Sequence, residues 1–281
     1  SIILVCDYCH CCDNFLFNFN MKSFKKNPPE WNKKELFNEI NIFREIYKDR
    51  PIKNNVHGMR FQHMFATYFI LKKKNPSLVI ESGVFKGQST WLIEKALPNS
   101  KILSIDINLS QREYISKKAL YSDIDFKNQD FTNIPKDTLV FFDDHVNHYE
   151  RLQQAKFFNI KNIILEDNYL SEKGDFYSIN HAYAKKGFNH NFTKLSLIKT
   201  LLIFINEIIK KIFIKKYFFQ LEKIKFRLRD YPSNENDFKN IEKNIKTYFE
   251  FPNLLDIMSY NLELSKEELN SYNHLTYNEL Y

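Results

Sequence analysis

Glycine is scarce in this chain: 281 residues contain only 5. At an average usage of about 7%, roughly 20 glycines would be expected. We therefore expect each remaining glycine to stand where backbone geometry requires one. Fixed-period repeats are also lacking, which excludes a collagen-like chain or a repeat array. Since 43% of the residues are hydrophobic, wholesale disorder is excluded as well.

Cysteine is absent from residues 13–281, and all four cysteines lie between Cys6 and Cys12. The fold therefore cannot depend on disulfides, and we expect a reducing, cytoplasmic environment. The pattern Cys-x-x-Cys-His-Cys-Cys could bind zinc, but structural zinc sites usually pair two such knuckles, and no second knuckle follows. Because a more ordinary sequence opens at Met21, we expect residues 1–20 to form a poorly anchored extension.

Long apolar runs are lacking too, even in the segment 194–229, which is rich in both apolar and basic residues. Its longest uncharged run, 200–206, is far shorter than the roughly 20 residues that cross a bilayer. The segment holds ten Lys or Arg and two acidic residues, while the whole chain carries +7. It suits a lid or oligomerisation helix, which we favour, or a helix lying on an anionic membrane. Nucleic acid is the least favoured partner for this segment.

Short apolar segments alternate with helical patterns, which predicts an α/β fold with a doubly wound, mostly parallel sheet and helices on both faces. Predicted helices are 33–47, 61–73, one ending at 97, 111–120 and 149–158; predicted strands are 78–80, 102–105, 124–126, 139–142, 163–165 and a late one within 248–251. The chain should divide into an extension (1–20), a helical cap (21–76), a cofactor-binding core (77–190), a basic helical insertion (191–232) and a C-terminal segment completing the core (233–281).

Two glycines lie where the first core strand turns into a helix, in the pattern Glu81-x-Gly83-x-x-x-Gly87. Glycine there lets a ligand approach the backbone, and the following helix offers free N–H groups to an anion. The next strand ends at Asp106, and an acid at that place accepts hydrogen bonds from ribose hydroxyls. The pattern predicts a nucleotide-type cofactor site; a plain turn with a capping Asp is the alternative.

The same pattern resembles the first motif of class I S-adenosylmethionine (SAM)-dependent methyltransferases, in which Asp106 matches the ribose-binding acid. In that family an acid near the adenine often follows the third strand, and Asp130 stands in the corresponding place. The resemblance covers about residues 78–169 and implies a Rossmann-like methyltransferase fold with SAM as cofactor. The cofactor-binding residues that it implies are Glu81, Gly83, Gly87, Asp106 and Asp130.

Acidic residues also end the next two predicted strands. Asp143 follows strand 139–142, and Glu166, Asp167 and Asn168 follow strand 163–165. Both strand ends should open onto one crevice, where Asp143, Asp167 and Asn168 offer the oxygen ligands that Mg²⁺ prefers. The pattern resembles metal-dependent O-methyltransferases of the catechol type. It is also similar to the cephalosporin-hydroxylase-like and macrolide-sugar methyltransferase group, in which a Glu-Asp pair follows the fifth strand. That similarity makes Glu166 a further candidate ligand. Solvated acids at strand ends are the alternative.

This chain departs from the catechol type at the position of the catalytic base. The catechol type has a Lys three residues beyond its metal-binding Asp, where this chain has Val146. His145 and His148 are the nearest substitutes, since imidazole can accept a proton near neutral pH, although either could be a surface residue. His63 precedes the first core strand and could line a substrate wall, but we favour a fortuitous histidine at a helix start.

Together these observations predict a cytoplasmic SAM-dependent, divalent-metal-assisted O-methyltransferase, with Mg²⁺ or another divalent cation, acting on a hydroxylated small molecule or a sugar. The alternative is a non-catalytic nucleotide- or metal-binding module of the same fold, serving as a scaffold at a membrane or in glycan assembly. Further possible partners are a second copy of the chain and an anionic membrane, the latter through 194–229.

Overall fold

The computed structural model describes residues 2–4, 32–169, 174–188, 231 and 235–251. They fall into two compact units. The core unit comprises 1–144, 154–168 and 245–281, and the second unit comprises 145–153 and 169–244. The cysteine cluster and the basic segment 194–229 lie outside the described residues, so the hypotheses about them stay predictions.

The described part of the chain forms helices and strands in alternation. The helices are α1 (Lys33–Lys48), α2 (Phe61–Lys74), α3 (Gln88–Ala96), α4 (His148–Phe157), α5 (Ile179–Tyr183) and α6 (Glu235–Asn244). The strands are β1 (Ile2–Leu4), β2 (Leu78–Ser82), β3 (Lys101–Ile105), β4 (Ala119–Ser122), β5 (Leu139–Phe142), β6 (Asn162–Leu165) and β7 (Tyr248–Glu250). None of the described helices has the length and apolar character that crossing a membrane requires.

All seven strands join one sheet in the order β4-β3-β2-β5-β6-β1-β7, and every neighbouring pair is parallel. The chain builds outward from β2 through β3 to β4 and then returns to the other side of β2 with β5 and β6. The predicted doubly wound α/β fold is therefore confirmed. In such sheets ligands bind beyond the carboxyl ends of the strands, where the winding direction changes. Here that point lies between β2 and β5.

The first residues of the chain take part in the sheet, contrary to the expected poorly anchored extension. β1 lies between β6 and β7, with Ile2 paired to Ile163 and to Tyr248. The sequence Ile-Ile-Leu has the continuous apolar character that parallel strands usually show. The late strand expected within 248–251 is confirmed as β7.

The segment between β3 and β5 differs from the prediction, because the helix at 111–120 and the strand at 124–126 are both wrong. The strand there is β4, flanked by short 3₁₀ turns at Leu109–Gln111 and Phe126–Asn128. The backbone N–H groups of Glu113 and Tyr114 donate to the Lys86 carbonyl, at 2.9 and 3.0 Å. These tertiary bonds, absent from a helix, override the local helical pattern.

Aromatic packing fixes the helices against one face of the sheet. Phe43 of α1 lies at ring-centroid distances of 5.3, 5.6 and 5.0 Å from Phe61, Phe65 and Tyr68 of α2. On the opposite face Phe142 of β5 meets Phe126 at 4.9 Å. Both faces of the sheet are thus covered, as the continuous apolar strands require.

The second unit contains a buried histidine. His181 is fully buried in α5, and its Nδ1 accepts a hydrogen bond from the backbone N–H of Ser178, at 3.2 Å. Its ring lies 5.7 Å from that of Tyr177 and 5.6 Å from that of Phe188. Burial disfavours the charged imidazolium and lowers the pKa of His181 to about 4.

We expect His181→Gln to flatten the acid side of the stability profile. Between about pH 6.5 and 4 the unfolded chain takes up a proton at this histidine that the folded chain does not, so wild-type stability falls as the pH falls through that window. Glutamine retains an acceptor for the Ser178 N–H and does not titrate. Urea midpoints measured across the window should fall less steeply for the variant.

The control is His57→Asn, at an exposed position with φ 62°, which asparagine tolerates. It should keep the wild-type slope. Identical slopes for wild type and His181→Gln would contradict the prediction.

Candidate active site at the carboxyl ends of the strands

Most of the predicted site residues lie at one edge of the core unit's sheet. Gly83 follows β2, Asp106 follows β3, Asp143 follows β5, and Glu166 and Asp167 follow β6. Because the four strands are parallel neighbours, their carboxyl ends share that edge. The structure therefore brings together the cofactor and metal motifs that the sequence keeps far apart.

The two motif glycines are required by close backbone approach within the protein. Gly83 has φ 101°, and a Cβ there would lie 2.0 Å from the carbonyl oxygen of Asp143. Gly87 has φ 91°, and its Cβ would lie 2.3 Å from the carbonyl oxygen of Tyr114. The sequence analysis expected these glycines to make room for a ligand. The structure attributes them first to the packing of β2 beside β5 and of the loop against Tyr114.

Asp106 holds the loop that follows β2. Its Oδ2 accepts hydrogen bonds from the backbone N–H groups of Val84 and Phe85, each at 3.0 Å, and its Oδ1 accepts one from Asn108, at 2.8 Å. The predicted position at the end of β3 is thus confirmed, whereas its binding of a ribose stays a prediction.

Glu81 lies inside the fold. It is fully buried in β2, and its Oε2 accepts hydrogen bonds from Thr90 of α3, at 2.6 Å, and Ser104 of β3, at 2.5 Å. Burial raises the pKa of Glu81, because the charged carboxylate loses its hydration. These contacts tie α3 to two strands, a structural role that the sequence analysis did not assign to this residue.

Asp130 lies in an exposed turn well beyond Ser122, the last residue of β4. Its Oδ1 accepts hydrogen bonds from the backbone N–H and the hydroxyl of Thr132, at 3.0 and 2.8 Å. Those bonds lower the pKa of Asp130. Since the strand predicted at 124–126 does not form, Asp130 does not stand directly at a strand end, and its role beside the adenine stays a prediction.

Glu166 is a buried acid in contact with a histidine. Only 3% of Glu166 is exposed, and its Oε1 contacts Nδ1 of His63, whose side chain is 12% exposed. Burial and the adjacent negative charge of Asp167 raise the pKa of Glu166 to about 8, while His63 acts in the opposite direction. Asp167 has φ 57°, a left-handed conformation that is uncommon outside glycine and is often found at functional sites.

The acidic residues approach one another closely enough to share an ion. One oxygen each of Asp143 and Asp167 lie within 4.8 Å of each other. A ring nitrogen of His63 and one oxygen each of Glu166 and Asp167 form a second group of that size. Asp167 belongs to both groups. Asn168, the next residue, is buried. Carboxylate oxygens in such a group are typical ligands of divalent cations.

His63 is the histidine for which the sequence analysis weighed a place in a substrate wall and favoured a fortuitous position at a helix start. It lies in the first turn of α2, which a short connection joins to β2. A helix that leads so directly into a strand packs antiparallel to it, so its first turn lies level with the strand's carboxyl end. That topological argument could have assigned His63 to the site from the sequence.

The two histidines predicted as bases belong to the second unit. His145, with φ 53°, has its Nδ1 3.0 Å from an oxygen of Asp175. A carboxylate beside Nδ1 favours the tautomer in which Nε2 carries the basic lone pair. His148 is buried, its backbone N–H donates to the Tyr177 carbonyl at 2.9 Å, and its ring lies 4.8 Å from that of Phe176. That environment is typical of a structural histidine, so the geometry favours His145.

No family model matches this chain, and no curated protein does. Among solved structures it is similar to CmcI bound to S-adenosylhomocysteine (SAH), at 13% identity over 51% of this chain and 79% of that one, with a TM-score of 0.34. It is similar to the SAH-bound methyltransferase PaMTH1 of Podospora anserina, at 13% identity, 51% and 64% coverage and a TM-score of 0.35. A third is the O-methyltransferase TomG of Streptomyces achromogenes with SAM, at 15% identity, 51% and 67% coverage and a TM-score of 0.35.

We expect Gly83→Ala to destabilise the core unit by about 2–4 kcal/mol, from the left-handed backbone and the overlap with the Asp143 carbonyl. Gly58→Ala is the matched control. The three atoms nearest to a Cβ at Gly58 all belong to the Asn55 side chain, which can move by giving up its hydrogen bond to the Met59 carbonyl. Its cost should stay below about 1 kcal/mol. Urea unfolding measures both free energies, and equal stability of the two variants would refute this account of Gly83.

Proposed function

We propose that this chain binds SAM and transfers its methyl group to a hydroxyl oxygen of a small molecule or sugar, with a divalent cation at the strand ends. One observation carries the proposal. Asp143 and Asp167 end two neighbouring strands beside the point where the winding reverses, and their oxygens lie within 4.8 Å of each other. Acids in that crevice suit ion-assisted chemistry on a ligand held next to the Gly83 loop.

The cofactor part of the proposal is supported by the loop after β2 and by Asp106. The loop turns at Gly83 and enters α3 at Gly87, so the N-terminus of α3 faces the end of the strand, where its N–H groups favour a carboxylate. Asp106 keeps the loop in this shape and lies where a ribose would be bound in a dinucleotide-type crevice. The described residues thus fit an adenosyl cofactor with a carboxylate tail.

The metal part is supported by the chemistry of the donors. Asp143 and Asp167 would hold the ion, with Glu166 and Asn168 as the further ligands that the sequence predicts. When bound, SAM supplies an electrophilic methyl group and the cation lowers the pKa of an acceptor hydroxyl. The reaction also releases a proton from that hydroxyl. The sequence offers His145 and His148 as candidates to accept it, and of the two only His145 has a carboxylate, Asp175, beside Nδ1, which favours the tautomer with a basic Nε2.

We expect Asp106→Ala to weaken SAH binding about 5- to 150-fold, the equivalent of about 1–3 kcal/mol for a lost buried polar contact. Asp106→Asn retains one acceptor oxygen for the loop N–H groups, so it should weaken binding less. Isothermal titration measures both affinities. Asp123→Ala, an exposed acid just beyond β4, is the control and should bind like wild type. Wild-type affinity in a folded Asp106→Ala protein would reject the assignment.

We expect Asp143→Asn and Asp167→Asn to abolish most methyl transfer while SAH affinity stays within about threefold of wild type, because the ion is proposed to contact the acceptor and not the adenosine. Asparagine suits position 167 because it tolerates the positive φ there. The assay follows SAH formation from SAM with a panel of phenols, catechols and sugars, with and without chelator. Asp123→Asn serves as control.

Full activity in chelator would contradict the role of the ion. SAH binding without turnover on any acceptor of the panel would favour the non-catalytic scaffold instead.

A further inference from the structure

We propose that His63 is a ligand of an ion at the strand ends, together with Glu166 and Asp167, and that the site therefore takes a transition metal such as Mn²⁺, Fe²⁺, Co²⁺ or Zn²⁺ in preference to Mg²⁺. The inference rests on the metal site of the proposed function. It replaces the all-oxygen ligand set predicted from the sequence with a mixed nitrogen and oxygen set.

The geometry places the nitrogen among the oxygens. A ring nitrogen of His63 and one oxygen each of Glu166 and Asp167 all lie within 4.8 Å of one another. Two ligands bound about 2.1 Å from one ion are separated by roughly 3–4 Å, so small side-chain movements would suffice to enclose one. Nδ1 of His63 and Oε1 of Glu166 are in direct contact, an arrangement that suits a shared proton and that an ion could replace once the two side chains move apart.

The fold holds His63 in place. Directly after it, the residues of α2 from Met64 to Leu71 are all buried. Two residues before it, Phe61 packs on Phe43 and Tyr47, at ring-centroid distances of 5.3 and 4.9 Å. A histidine presented by so fixed a helix loses little freedom on binding an ion, as ligands on rigid elements do.

Charge favours a cation at the same point. Glu166 is buried directly beside Asp167, and an oxygen of Asp143 approaches Asp167 from the next strand. Carboxylates packed this closely repel one another when ionised. A divalent ion would offset that repulsion, and it would do so in a partly desolvated place, where electrostatic interactions are stronger than in water.

The ring nitrogen of His63 determines which metal ion the site prefers. Mg²⁺ is bound through oxygen and usually retains several waters, whereas imidazole suits zinc, copper, iron and nickel, and affinity rises from Mn²⁺ toward Cu²⁺. A ligand set that includes one imidazole and carboxylates therefore favours the transition metals. The same set without His63 would leave the preference with Mg²⁺.

The test uses Co²⁺ and Mg²⁺ alone as probes of the full chain. Because thiolates also bind cobalt, the four cysteines (Cys6, Cys9, Cys11, Cys12) are changed to Ser in every sample. We expect Co²⁺ to bind at least about tenfold more tightly than Mg²⁺. His63→Gln should weaken Co²⁺ at least about tenfold, leave Mg²⁺ affinity within about threefold, and shift the visible absorption of bound Co²⁺.

Two further variants keep the test decisive. His57→Asn, an exposed histidine in the same unit, should leave the Co²⁺ affinity and spectrum as in the parent protein. His63→Ala removes the contact with Glu166 that glutamine can replace, and it should lose Co²⁺ affinity at least as strongly. An unchanged Co²⁺ affinity and spectrum in both His63 variants, or an equal loss of Co²⁺ and Mg²⁺ in both, would overturn the inference.

SAH titration of the same samples separates this inference from the proposed function. Cobalt binding that depends on His63 in a protein without SAH affinity would support the metal ligand and reject the methyltransferase. SAH binding with a cobalt affinity that does not depend on His63 would support the cofactor site and reject His63 as a metal ligand.

Discussion

The approach of β2 to β5 at Gly83 is the constraint on which the site depends. A side chain there would strike the Asp143 carbonyl, so only glycine lets the ends of these two strands pass so closely. Because they do, the loop after β2 lies beside Asp143, a proposed metal ligand, and its backbone N–H groups reach Asp106. A single missing Cβ thus determines the distance between the region suited to a cofactor and the region suited to an ion.

The two buried glutamates, Glu81 and Glu166, have different surroundings. Glu81 has hydroxyl partners on α3 and β3, and its carboxyl serves packing. Glu166 is as deeply buried but has an imidazole and a neighbouring acid instead. Buried polar groups that serve structure alone are usually satisfied by neutral donors, whereas titratable neighbours that perturb one another are typical of functional sites. The imidazole and the acid beside Glu166 support its place in the proposed metal site.

Much of the core could be predicted from the hydrophobic pattern of the sequence. Strands buried on both faces are continuous apolar runs, and the helices between them show amphipathic periodicity. The segment 111–126 could not, since bonds from Glu113 and Tyr114 to the distant Lys86 carbonyl decide its path. The acids at the strand ends were found because each follows an apolar run directly. His63 was interpreted as a fortuitous histidine because its position depends on how a helix packs on a strand, which no local pattern records.

The position of β1 bears on how the chain folds. Ile2 has its sheet partners at Ile163 and Tyr248, so two of the six strand pairings wait for residues made much later. Closing loops of that length is slow, and contacts so distant in sequence delay folding. During synthesis β1 would leave the ribosome long before β6 and β7 exist. The strands β2 to β6 can pair first, and the edge formed by β6 would remain a template that β1 joins afterwards.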